Sequence, residues 1–222
     1  MSVKETIHSL IKELPATTRL VAVSKFHPSE AILEAYQAGQ RIFGESRVQE
    51  LCEKQPSCPV DIEWHFIGHL QTNKIKQIAP FVALIHGVDS LKLLKEINKE
   101  GEKIGRVIPC LLQIYIAQED SKFGFSMEEC NELLSSGILK DLKFVHLHGL
   151  MGMATLTDKQ TQIRSEFRIL KSYFDEIKNS HFMNESAFSV ISMGMSDDYK
   201  IAIEEGSTMV RIGSAIFGAR MY

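Results

Sequence analysis

The feature that most restricts the fold is a repeat: short apolar, β-branched runs, each followed by a helical stretch. The runs are RLVAVSK (19–25), RIFGES (41–46), EWHFIGH (63–69), FVALIHGV (81–88), RVIPCLLQIYI (106–116), KFVHLHGLM (143–151), FSVISMG (188–194) and MVRIGSAIFG (209–218). Runs without polar alternation fit strands buried on both faces, and strands taking turns with helices imply crossover βαβ units and a parallel sheet. The helical stretches carry local signals. A short amphipathic helix ends at Pro15, His27-Pro28-Ser29-Glu30 opens a helix with Gly39 at its end, and Ser126 with Glu129 forms a capping box. Further helices are expected from about Val48, from Asn73 to Pro80, from Ser90 to Lys103, from Asp158 to Lys178 and from Ser196. Eight strand-like runs, the first seven each followed by a helix, predict a closed (β/α)8 TIM barrel occupying residues 1–222 as one domain. An open doubly wound sheet is the alternative.

Charge and cysteine usage narrow the function classes. The 222 residues carry 25 basic and 28 acidic side chains, a formal net charge of −3, so the electrostatic footprint of a nucleic-acid binder is missing. A membrane-spanning helix needs about 18 apolar residues in a row, and the most apolar stretch, 107–117, is interrupted by Gln113. The N-terminus mixes charges into its helical pattern and has no signal-peptide apolar core. Cys52, Cys58, Cys110 and Cys130 match no zinc or redox spacing, and small buried thiols in a cytoplasmic protein are expected.

In such barrels chemistry sits where strands end and loops begin. Lys25 closes an all-apolar strand, where desolvation favours a neutral amine able to attack a carbonyl. The competing reading is a lysine reaching solvent and pairing with Glu45 or another carboxylate. SMGMS (192–196) and RIGS (211–214) end the seventh and eighth strands, the loops from which barrels often build a phosphate site. Gly194 and Gly213 would admit close approach, and Ser196 and Ser214 would donate hydroxyls; alternatively Ser196 only caps the next helix, with Asp197 and Asp198 facing its dipole. Arg211, inside a β-branched run, needs a partner, either a carboxylate or a ligand acceptor such as a ring nitrogen. His65 with His69, and His146 with His148, have the even spacing that shares a strand face, so a metal-dependent barrel hydrolase is one reading and hydrogen-bonded core histidines the other.

The segments LVAVSK around Lys25, FGES-x-VQE (43–50), EWHFIGHLQTNK (63–74), KFGF (122–125), LHGLMGM (147–153), SMGMSDDY-x-x-AI (192–203) and VRIGSAIFG (210–218) together resemble the pyridoxal phosphate (PLP) homeostasis family, in family order along nearly the whole chain. The resemblance implies a barrel like the alanine racemase N-terminal domain. It implies that Lys25 holds PLP as a Schiff base, that Ser196, Gly213 and Ser214 lie at the cofactor phosphate, that Met195 also belongs to the cofactor site, and that Arg211 faces the pyridine nitrogen. An arginine there keeps that nitrogen unprotonated and weakens the ring as an electron sink. One position departs: Ser46 stands where the family has Asn, which implies an altered contact to the cofactor ring. The racemases draw a second catalytic base from a further domain, and this sequence ends at Tyr222, so the resemblance implies a carrier or buffer of PLP that influences amino- and keto-acid pools. A weak racemase or lyase is the alternative. PLP-dependent apoenzymes are the implied recipients, a monomer is expected, and surface lysines such as Lys74 or Lys122 are candidates for a second PLP site.

Overall fold

The computed structural model describes residues 2–118 and 123–218, and eight parallel strands close into a barrel in sequence order. The strands are β1 (Arg19–Val23), β2 (Ile42–Glu45), β3 (Glu63–Phe66), β4 (Leu84–Val88), β5 (Ile108–Gln113), β6 (Val145–Met151), β7 (Val190–Ser192) and β8 (Met209–Ile212). An N-terminal helix α1 (Val3–Glu13) precedes them, and α2 (Ser29–Gln37), α3 (Val48–Lys54), α4 (Ile75–Ile78), α5 (Leu91–Ile104), α6 (Met127–Ser135), α7 (Gln160–His181) and α8 (Tyr199–Glu204) follow successive strands. A last turn, α9 (Ser214–Phe217), follows β8. The expected closed barrel is therefore the observed one, and the open sheet is not.

The strands pack on two faces. Leu20, Ala22, Phe43, Trp64, Phe66, Leu112 and Leu150 point outward into the main core beneath the helices. Val21, Ile42, Leu84, Leu111, Met151 and Met209 form a second buried cluster filling the barrel interior. Each fully buried side chain of this kind is worth about 1.5–3 kcal/mol, which is why the strands read as unbroken apolar runs. One close approach depends on glycine. At Gly149, with φ +146°, an added Cβ would lie 1.8 Å from the Val190 carbonyl oxygen, so β6 and β7 meet only because no side chain is there.

Several boundaries differ from the sequence reading. The strands stop earlier, leaving Lys25, Ser46 and His69 in the loops beyond them. The run 209–218 is not all strand. The Phe217 amide bonds to the Gly213 carbonyl at 2.9 Å and the Gly218 amide to Ser214 at 3.0 Å, which turns the chain into α9. The helix expected from Ser196 begins at Tyr199, because residues 195–198 form a turn closed by the Met195 amide on Asp198 Oδ1 at 2.5 Å. The stretch from Asn73 divides into a 3-10 turn, Thr72–Lys74, and the short α4. The Ser126–Glu129 capping box and the Ser90 cap of α5 are present. All four cysteines are free, and Cys58, Cys110 and Cys130 are buried. No helix among the described residues is long and apolar enough to cross a membrane.

Candidate functional site

Strand pairing brings the candidate residues onto one arc of the barrel rim. β8 pairs with β1 through Val21↔Arg211 and Ala22↔Ile212, and β1 pairs with β2 through Val23↔Gly44. Lys25 thus stands past the end of β1, between the loop that starts at Gly213 and the loop that starts at Ser46. Gly213 lies against β1 so closely that an added Cβ would be 3.1 Å from the Val23 carbonyl oxygen. The β7 loop joins the arc where the Gly213 amide donates to Ser196 Oγ at 3.3 Å. Ser196 is therefore not the cap of α8, whose cap position is Asp198. Met195 and Asp198 line a cleft of about 320 Å³ with Ala154, Leu156 and Ile163 beside this loop. Burial pushes the Asp198 carboxyl above its ordinary range, with the bond from the Met195 amide opposing it.

Arg211 projects into the barrel and is almost fully buried. Its hydrogen-bond partners are oxygens of Ser192 and Gly152 and not the carboxylate that the sequence left open. Nη1 donates to the Ser192 carbonyl at 2.8 Å and to Ser192 Oγ at 2.6 Å, and Nη2 donates to the Gly152 carbonyl at 3.1 Å. Burial lowers its pKa to about 10, with Asp198 opposing the shift, so it remains a cation at neutral pH. A guanidinium carries five N–H donors, and three are engaged, so two remain for a ligand acceptor.

The polar lane continues across the core. Ser192 Oγ lies 3.0 Å from His86 Nδ1, and His86 Nε2 lies 3.0 Å from His65 Nδ1. Burial drives His65 down to about 3 and His86 well below its ordinary value, so both rings are neutral. The four histidines considered as metal ligands do not meet. His69 is exposed beyond β3 with Asp89 Oδ2 at 2.7 Å, while His146 and His148 meet edge to face at the opposite end, where β6 begins. Among the described residues no group of three metal-ligating side chains forms.

Lys25 is half-buried, and Glu45 is not its partner. Glu45 faces the helix layer, where Oε1 accepts from Lys54 Nζ at 2.8 Å and from Ser24 Oγ at 2.6 Å. The residue after Lys25, Phe26, has φ +67°, a left-handed conformation that bulky side chains rarely adopt. Sequence reasoning missed Ser192, His86 and Lys54. The available signals were a polar position within each apolar run and the i,i+4 spacing of Glu50 and Lys54. The KFGF motif and the second-site candidate Lys122 begin outside the described residues; Lys74 is half-buried in the turn after β3.

The chain is thus a closed parallel barrel that brings a lysine past β1, an arginine on β8 and glycine-serine loops after β7 and β8 onto one arc of its rim. The family described as "Alanine racemase, N-terminal domain" matches residues 2–221. The chain is 38% identical over 205 residues to the pyridoxal phosphate homeostasis protein of Aquifex aeolicus, covering 92% of this chain and 88% of that one. It is 43% identical over 201 residues to the protein of the same name from Helicobacter pylori strain 26695, covering 90% and 86%. Among solved structures it is similar to PipY of Synechococcus elongatus at 34% identity, covering 98% of this chain and all of that one. The TM-score is 0.91 for PipY without PLP and 0.87 for PipY with PLP bound. An alanine racemase of Clostridium difficile shares the fold alone, at 13% identity and TM-score 0.78. The chain belongs to the pyridoxal phosphate homeostasis protein family.

Proposed function

We propose that this chain is a carrier and buffer of pyridoxal 5'-phosphate, with Lys25 as the residue that engages the cofactor aldehyde. The observation that carries the reading is the arc itself: β2, β1, β8 and β7 are neighbours in the barrel, so Ser46, Lys25, Gly213 and Ser196 adjoin one another above Arg211. PipY, which has PLP bound in one of its two solved forms, supports it. When bound, PLP supplies an aldehyde that condenses reversibly with amines and a ring that draws electrons from what it carries.

The residues present fit that group. Lys25 follows β1 next to Gly213, whose missing Cβ lets the β8 loop lie against Val23 and leaves its backbone amide open to a ligand. The Gly213 amide makes only a long 3.3 Å bond to Ser196, which a phosphate oxygen replaces readily. Ser196 and Ser214 supply hydroxyls and Met195 flanks them. Because α8 and α9 are short, the anion is held by these individual donors and not by a helix end. Arg211, cationic and donor-only, presents N–H to a ring nitrogen and so disfavours a proton on it. Ser46 lies on the β2 side of Lys25.

We infer a carrier and not a dedicated enzyme from the names of the relatives and from Arg211, which opposes the electron withdrawal that long-lived carbanions need. PLP-dependent apoenzymes are then the recipients, and the acting form is a monomer. Four free thiols support a reducing, cytoplasmic compartment.

The test is the visible spectrum of protein loaded with PLP and desalted, wild type beside Lys25→Ala. A retained yellow band in wild type that is lost in the variant supports the reading. Colourless wild type after loading overturns it. Solvent deuterium entering the α-carbon of an amino acid at a catalytic rate would instead favour a racemase or lyase.

A further inference from the structure

We propose that Lys54, Glu50 and Glu45 are positioning residues for Lys25: a buried ion cluster outside the barrel wall grips the backbone on both sides of that lysine and fixes where its amine points. The inference rests on the reading of Lys25 as the reactive residue, but not on PLP being its target.

The geometry is specific. Lys54 Nζ, at the end of α3, donates to the Ser24 carbonyl at 2.8 Å, to Glu45 Oε1 at 2.8 Å and to Glu50 Oε1 at 2.6 Å. Glu50 Oε1 also accepts the Phe26 amide at 2.6 Å, and Glu45 Oε1 accepts the Ser24 hydroxyl at 2.6 Å. Residues 24 and 26 are thus both tied to one ammonium and its two carboxylates, with Lys25 between them. The His27 amide closes the turn on the Ser24 carbonyl at 3.1 Å. Phe26 is held in its left-handed conformation, and the Arg47 guanidinium lies 4.7 Å from its ring centre. Such a conformation persists only where surrounding contacts over-determine it, and such positions concentrate at functional sites.

The cluster is costly for packing alone. The Lys54 and Glu45 side chains are 8% and 0% exposed. Among the described residues, Glu45 Oε2 is the buried side-chain polar atom left without a hydrogen-bond partner. Apolar residues of similar volume would often stabilise such a site at least as well. What the ions add is direction, because charged groups in fixed positions hold the strained turn with Ser24 on the helix side and so fix the backbone that carries Lys25.

The test compares wild type, Lys54→Met and Glu50→Gln, with Leu93→Ala on the far helix α5 as a destabilised control. Without PLP, each is treated briefly with acetic anhydride, and labelling of Lys25 relative to surface lysines is read by mass spectrometry. PLP binding is then measured by equilibrium dialysis. Relative labelling of Lys25 is expected to change at least threefold in Lys54→Met and less in Glu50→Gln. PLP affinity is expected to fall at least tenfold in Lys54→Met, while Leu93→Ala changes neither. If Lys54→Met does not fold, Glu50→Gln decides by the same readouts. Labelling unchanged from wild type, or changed equally in Leu93→Ala, overturns the proposal. A wild type that binds no PLP while the labelling shift persists overturns the functional reading and leaves the positioning role standing.

Discussion

Arg211 and Ser192 are locked by two bonds from one nitrogen, Nη1 to the serine carbonyl at 2.8 Å and to its hydroxyl at 2.6 Å. Because a guanidinium only donates, the Ser192 hydroxyl accepts from it and turns its own proton toward His86 Nδ1. That makes His86 Nδ1 an acceptor, puts the ring proton on Nε2, and makes His65 Nδ1 the next acceptor. One arginine therefore sets the tautomer of two histidines across the core. In nitrogen-15 spectra of labelled protein both rings are expected as the neutral Nε2–H form. A neutral Nδ1–H form at either one would contradict this reading of the lane.

The same burial gives a pH dependence with a definite sign. His65 falls from the ordinary value to about 3 in the folded chain, and His86 moves in the same direction, whereas unfolded histidines titrate near pH 6.5. Above that pH neither state binds the extra proton, so the stability is fully present. Below it the unfolded state binds more protons, and stability falls with acidification by about 1.4 kcal/mol per pH unit per histidine. Denaturant melts from pH 7 to pH 4 are expected to show this loss, reduced in His65→Asn.

Removing the hydroxyl in Ser192→Ala strips Arg211 of one acceptor and His86 of its donor. A cost of about 1–3 kcal/mol is expected from the unsatisfied buried groups, read as a lower midpoint in urea. PLP binding is expected to weaken as well, since the guanidinium is then held only by carbonyls.

Gly213→Ala and Gly149→Ala separate site from scaffold. At Gly213 the added methyl meets Val23 at 3.1–3.2 Å, a contact that small shifts relieve, so a folded protein with PLP affinity reduced about tenfold is expected. At Gly149 it would sit 1.8 Å from the Val190 carbonyl with an unfavourable φ, and insoluble protein is expected. Circular dichroism and dialysis distinguish the two.

Much of the barrel was legible because parallel strands buried on both faces leave unbroken apolar runs. Lys25, Arg211, Ser196 and Gly213 stood out because polar or flexible residues at strand ends interrupt those runs. His86 did not, since one histidine within 81–88 gives no hint that its partner Ser192 lies 106 positions away. Lys54 was hidden for a different reason: at the end of a polar helix it reads as solvated, and only the fold buries it against Glu45 and the Ser24 carbonyl. The strand run through residue 218 failed because hydrophobicity alone does not distinguish a strand from the single turn of α9.

The most direct test of the central claim is to load the protein with PLP, reduce it with borohydride, digest it and map the modified lysine. A pyridoxyl adduct on the peptide bearing Lys25 at near one-to-one yield, absent in Lys25→Ala, is the expected result. An adduct spread over surface lysines such as Lys74, or one that persists undiminished in Lys25→Ala, would contradict it.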